Sequence, residues 1–162
     1  MNTVDVLVIG AGPAGLAAAL RLKQKNRDLS VMVLDKAFAP GAHSLSGSVI
    51  EPLCLDELVP GWRTAAGSIA TQMKPVCKDE MYFLTGRGAL RIPGLLVPPG
   101  MHHAGDQIVS LARLVAWLAD VAAREGVDVY HAVSAVSLLW EDGAVKGVKL
   151  ADQGLDKDLK PK

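Results

Sequence analysis

The residues best placed to do chemistry stand near the start of the chain. Gly10-Ala11-Gly12-Pro13-Ala14-Gly15 has the spacing GxGxxG, and Asp35 follows 20 residues after Gly15. The three glycines serve different ends. Gly10 permits a tight turn, Gly12 lets a dinucleotide diphosphate approach the main chain, and Gly15 lets a helix pack closely on a strand. A helix beginning behind Gly12 would aim its unpaired N–H groups and partial positive charge at the phosphates. A carboxylate at Asp35 can accept hydrogen bonds from ribose hydroxyls and would repel a 2′-phosphate. The spacing alone is common, and its weight comes from the elements on either side.

Val4 to Ile9 is an almost continuous apolar run, as expected of a parallel strand buried on both faces. Pro13 to Lys25 reads as a helix, with Pro13 in its first turn and Leu16, Ala19, Leu20 and Lys23 at helical spacing. Leu29 to Leu34 is a second strand, ended by Asp35, so the three form a β-α-β unit with an expected right-handed crossover. Periodicity returns at Asp106, read as an N-cap. Ile108, Leu111, Ala112, Leu114, Val115, Leu118, Val121 and Ala122 make one apolar face to Arg124, and Gly126 stops the helix. Val127 to Tyr130 is a candidate third parallel strand. Val133 to Trp140 and Ala144 to Leu150 flank Glu141-Asp142-Gly143, a hairpin signal. Trp117 and Trp140 fit helix and strand packing, whereas Trp62 falls in a loop and is expected at the surface.

From Lys36 to Gly105 regular patterns are scarce, and this stretch reads as long loops with short helices and strands. Leu53 to Leu58 would be one or two helical turns. The expected fold is α/β: a partial, Rossmann-type parallel sheet over residues 1–40 and 104–150, a small antiparallel appendage, and an irregular insertion over 41–103. Residues 151–162 read as a truncated loop.

Lysine plus arginine and aspartate plus glutamate each number 17, and aromatics are only 4%, which argues against a nucleic-acid partner. The apolar runs fall short of the roughly 20 residues a spanning helix needs. No basic stretch precedes the first strand as in a secretory signal. The expected location is the cytoplasm, or the inner face of the cytoplasmic membrane. Cys54 and Cys77 form no CxxC pair and are expected to be buried, reduced thiols. The adjacent His102 and His103 would point apart on any regular element, so no metal site is expected.

The wording Gly10 to Leu20, GAGPAGLAAAL, resembles the FAD-binding half of the glutathione-reductase-like flavoproteins. Gly41-Ala42-His43-Ser44-Leu45-Ser46-Gly47, Tyr82-Phe83-Leu84-Thr85, Leu90-Arg91-Ile92-Pro93 and Gly126-Val127-Asp128-Val129-Tyr130 narrow the likeness. Together they resemble the electron-transfer flavoprotein:ubiquinone oxidoreductases, from about Val4 to Leu150. The resemblance implies FAD, a 4Fe–4S cluster, and electrons passing from reduced electron-transfer flavoprotein to ubiquinone at a membrane face. It implies that Gly10, Ala11, Gly12, Pro13, Ala14 and Gly15 cradle the pyrophosphate, that Asp35 and Lys36 lie at the adenosine ribose, and that Ser44, Ser46 and Gly47 lie toward the flavin.

There are departures from the family pattern. Asp35 stands where the family usually has glutamate, and His102-His103-Ala104-Gly105-Asp106 replaces a stretch like Asn-Asn-His-Gly-Asn. A cluster needs four thiolates; this chain has two cysteines, so the cluster would belong to the complete parent protein. No catalytic acid, base or nucleophile is assigned, as expected where a flavin supplies the chemistry. Two alternatives stand beside this reading: an FAD- and NAD(P)H-dependent reductase or hydroxylase of the same superfamily, and an inactive truncated fragment with an exposed sheet edge. Residues 84–101 include Leu84, Leu90, Ile92, Leu95, Leu96, Val97 and Met101 with only Arg87 and Arg91 charged, and Pro93, Pro98 and Pro99 exclude a regular helix. They could cover a core, or rest on a bilayer where the family docks. His43 could tune a flavin or make a structural hydrogen bond.

Overall fold

The computed structural model describes residues 3–45 and 47–152. The chain divides into two units, Met1–Ser44 with Ala112–Lys162, and Leu45–Leu111. The first unit opens with strand β1 (Val6–Ile9), helix α1 (Pro13–Lys25) and strand β2 (Val31–Leu34). The strands run parallel, in register from Val6 against Val31 to Ile9 against Leu34. Leu16, Ala19 and Leu20 of α1 are fully buried, as their spacing predicts. Lys23 closes the helix: its Nζ donates to the carbonyls of Arg27 at 2.7 Å and Leu29 at 2.9 Å, satisfying acceptors in the turn that leads to β2.

The second unit holds β3 (Ser48–Ile50), α2 (Leu53–Leu58), β4 (Lys74–Pro75), β5 (Tyr82–Thr85), β6 (Gly88–Arg91) and β7 (Gln107–Val109). Strands β3, β7 and β4 form an antiparallel sheet in that order, and β5 with β6 forms a separate hairpin. Trp62 is a core residue here, 2% exposed, which overturns its expected surface position. Its indole N–H donates to Asp56 Oδ1 at 2.8 Å. Burying so large a ring is favourable once its one polar atom has a partner. The Arg63 guanidinium covers that pair, bonding both Asp56 oxygens at 3.0 and 2.8 Å and standing 4.7 Å from the centre of the Trp62 ring.

The chain then returns to the first unit through α3 (Leu111–Arg124), β8 (Asp128–Tyr130), β9 (Ala135–Glu141) and β10 (Ala144–Leu150). Helix α3 buries Leu114, Val115, Trp117, Leu118, Ala119 and Ala122, and Gly126 ends it at φ +84. Strand β8 joins β2 in parallel, giving the order β1-β2-β8. Strands β9 and β10 pair around Asp142 (φ 50) and Gly143 (φ 75), the two positive φ values that a two-residue hairpin turn of matching twist requires. The expected α/β class, a parallel sheet with small antiparallel additions, is the one observed.

Three further readings are corrected. The helix does not begin at Asp106, because 107–109 is β7. Asp106 faces His103 Nδ1 at 2.9 Å instead of capping α3. Trp140 lies on a strand as expected but is 64% exposed, so it does not pack there. Cys54 and Cys77 are both exposed rather than buried. Of the loop read over 151–162, residues 153–162 lie outside the described residues.

Candidate functional site

The glycine turn has the geometry its composition suggests. Gly10 takes φ +104, which side chains with a Cβ rarely tolerate, and its N–H donates to Leu34 O at 2.7 Å. A Cβ on Gly15 would run into the Gly10 carbonyl and lie 3.2 Å from Val8 Cγ1. Gly15 is what lets α1 sit against β1. At Gly12 the situation is opposite, since nothing lies within 4 Å of a Cβ built there. The main chain is therefore open to an approaching group.

Gly12 caps α1 without a side-chain hydrogen bond, and the first turn carries no acidic residue. The first intrahelical bond is Leu16 N–H to Gly12 O, 3.0 Å, so the amides of Ala14 and Gly15 have no acceptor within the helix. Exposed Pro13 and Ala14 leave that helix end open to solvent. Unpaired amides, an open backbone and no competing carboxylate suit an anion such as a diphosphate.

Asp35 closes β2 and reaches back to this turn. Its Oδ2 accepts from Ala11 N–H at 2.6 Å and its Oδ1 from Ala37 N–H at 2.7 Å. Both oxygens are thus engaged by main chain, and each keeps capacity for a further donor. Beside it lies a cleft of about 280 Å³ lined by Ile9, Gly10, Leu34, Asp35, Lys36, His43, Val133, Ser134 and Ala135. The cleft opens at the carboxyl ends of β1 and β2, where open α/β sheets bind ligands.

The structure brings Gly10, Asp35 and Lys36 to one cleft, with Ala11 bonded to Asp35, and sets Gly12, Pro13, Ala14 and Gly15 at the adjoining helix start. Ser44 lies in a turn, its N–H donating to Gly41 O at 2.9 Å, and it does not line the cleft. Gly41 holds that turn in place: a Cβ there would meet the main chain of Ala112 at the start of α3, 2.8 Å from its Cα. Gly47 (φ +80) belongs to the second unit. Ser46 falls outside the described residues. His43 lines the cleft. Ala37, Val133, Ser134 and Ala135 were not singled out from the sequence; their signal is position alone, immediately after the second and third parallel strands.

A family model described as FAD dependent oxidoreductase matches residues 5–83. Over its whole length the chain is 45% identical to the probable electron transfer flavoprotein-ubiquinone oxidoreductase of Schizosaccharomyces pombe, covering 26% of that protein. It is 42% identical, over 98% of its length, to the electron transfer flavoprotein-ubiquinone oxidoreductase of Pseudomonas aeruginosa, covering 29% of it. By sequence the chain is similar to a part of the electron transfer flavoprotein–ubiquinone oxidoreductases. It spans little more than a quarter of the length of these relatives.

Among solved structures, a geranylgeranyl bacteriochlorophyll reductase-like protein from Thermoplasma acidophilum superimposes on 93% of the chain and 35% of its own, with TM-score 0.65 at 20% identity. That likeness shows the fold. A flavoprotein/dehydrogenase from Cytophaga hutchinsonii, 27% identical, covers 86% of the chain and 33% of its own at TM-score 0.57. The match to an FAD dependent oxidoreductase model agrees with the open cradle at Gly12, whose free space suits a diphosphate. An iron–sulfur cluster does not fit: there are two cysteines, and no group of three or more metal-ligating side chains among the described residues.

Proposed function

We propose that this chain builds the adenosine and diphosphate end of the FAD site in an electron transfer flavoprotein–ubiquinone oxidoreductase. The parent reaction would pass electrons from reduced electron transfer flavoprotein through FAD to ubiquinone. FAD would supply the redox chemistry itself, accepting electrons and releasing them to the next carrier. The chain's own residues bind and orient it. The amides of Ala14 and Gly15, with the open main chain at Gly12, hold the diphosphate; Asp35 offers its remaining acceptor capacity to the ribose; Lys36 flanks the cleft. A 4Fe–4S cluster in the parent would use ligands outside this chain.

The second unit supplies a peripheral membrane contact in this reading. Leu84 is 75% and Leu95 96% exposed, and Phe83, Leu90, Leu96 and Met101 are exposed with them. An apolar surface of this kind, with Arg87 at the hairpin turn, suits the interface of a bilayer with anionic headgroups. Among the described residues no helix is long and apolar enough to cross a membrane, so contact would be from one side.

The observation that carries the proposal is the open glycine turn joined to Asp35 beside the cleft. Adding the chain to free FAD should change the flavin's fluorescence saturably, and ADP should compete. Gly12→Asp, which puts a carboxylate where the diphosphate would lie, should abolish both effects without unfolding the chain, because the space above Gly12 is empty. Equal FAD binding by the two proteins would sink the assignment of this turn.

A further inference from the structure

Asp35 does more than end a strand. Besides its two carboxylate bonds, its main-chain N–H donates to Tyr130 O at 2.9 Å and its carbonyl accepts from Val133 N–H at 2.9 Å. Ala132 N–H in turn donates to Ala37 O at 2.8 Å. The turn after β1, the turn after β2 and the loop after β8 are therefore tied together at one residue. Gly10, Lys36 and Val133, one from each of these segments, line the same cleft.

We infer that Asp35 is a positioning residue: its carboxylate, bonded to Ala11 and Ala37, sets the diphosphate turn before any nucleotide arrives. This rests on the FAD reading only for the identity of the ligand. A carboxylate accepts from an amide about twice as strongly as a neutral oxygen, so the side chain is a strong local constraint on a turn otherwise made of small residues. Glycine-rich main chain loses much conformational freedom on ordering. Fixing it in advance removes that cost from ligand binding. The bond to Ala11 also takes one turn amide away from the phosphates and leaves the amides of Ala14 and Gly15 for them. A group that only gripped ribose would leave the turn unaffected when replaced.

Asp35→Asn separates the two roles. Asparagine has one acceptor oxygen, so it can serve one of the two amides, and its NH2 opposes the other. In the nucleotide-free chain, exchange of the Ala11 or Ala37 amide should quicken by about fivefold or more, the scale of one lost hydrogen bond. Amides of α3 should keep their protection, which shows that the fold survives. Titrations with ADP and with 2′,3′-dideoxy-ADP give the second reading. Affinity for the dideoxy nucleotide should also fall about fivefold, although it has no hydroxyls for Asp35 to hold.

Unchanged exchange at Ala11 and Ala37, with the loss confined to ADP, would overturn the positioning role and leave ribose contact alone. If neither nucleotide binds the unsubstituted chain, the FAD reading fails while the exchange result still decides whether Asp35 sets the turn. Should Asp35→Asn lose the α3 protection, Asp35→Ser, with a single neutral acceptor on a shorter side chain, gives the same test. Faster exchange at the two alanines supports the role, and parental exchange rules it out.

Discussion

At the scale of single residues, the turn after β1 depends on atoms that are absent. Gly15→Ala adds one methyl where the Gly10 carbonyl already stands, so α1 must move from β1 or the turn must distort. Overpacking of that kind costs about 1–3 kcal/mol, and the denaturant midpoint of the chain should fall accordingly. A wild-type midpoint for Gly15→Ala would mean that the helix and strand are not in the close contact described. Trp62 offers the converse test. Removing its buried ring in Trp62→Ala should destabilise the second unit by about 3–5 kcal/mol. Its partner Asp56 has a carboxyl held below the ordinary 3.8, chiefly by its hydrogen bonds to Arg63 and then to Trp62. A carboxyl lowered in the folded state stabilises that state above its unfolded pKa and ceases to do so as the pH falls through the folded value. Loss of the Trp62 environment, followed by fluorescence, should thus begin as the pH drops below 3.8. Asp56→Asn should flatten that acid transition.

The elements show which patterns speak for themselves and which do not. Strand β2 and helix α1 were legible because one buries a continuous run and the other a single stripe, and the Asp-Gly hairpin because its turn needs two positive φ values. Strands β1 and β8 were legible from their apolar runs and position, although β1 is only half-buried, with Ile9 exposed, and not buried on both faces as its run suggested. The start of α3 was not. Ile108 sits in phase with the helix that follows, yet Ile108 and Val109 pair with Val49 and Ser48 as part of β7, and Asp106 bonds His103 rather than a helix amide. Local spacing cannot register a strand partner nearly 60 residues earlier. In the second unit, the β5–β6 hairpin resisted reading for another reason: it buries neither face. Tyr82 and Leu84 point to one side and Phe83 to the other, and all three are exposed. Hydrophobic strands that cover nothing in their own unit suit an apolar surface outside it. If that surface is a bilayer, Leu84→Glu and Leu95→Glu should each reduce co-sedimentation with anionic phospholipid vesicles about tenfold, the effect of removing one leucine's burial. Unaltered partition of both variants would leave the hairpin without a membrane role.

For the whole chain, the exposed apolar surface sets how it behaves in solution. In the first unit, Val136, Leu138 and Trp140 share one face of the β9–β10 hairpin, with Val145 opposite Trp140 and Val148 opposite Leu138. All but Val148 are strongly exposed. In the parallel sheet β1 pairs with β2 alone among the described residues, so one row of its N–H and C=O groups faces outward. Contiguous apolar faces and open strand edges both favour association between copies. The two routes differ in what relieves them. A hydrophobic face is disrupted by charge on its side chains, whereas edge pairing runs through main chain and ignores substitutions on the hairpin. Purified chain should therefore elute as larger species with rising concentration. If the hairpin face drives this, the double variant Leu138→Lys, Trp140→Lys should return it to the monomer position while leaving FAD binding intact, since neither residue lines the cleft. Association that persists in that variant would point instead to the outer edge of β1.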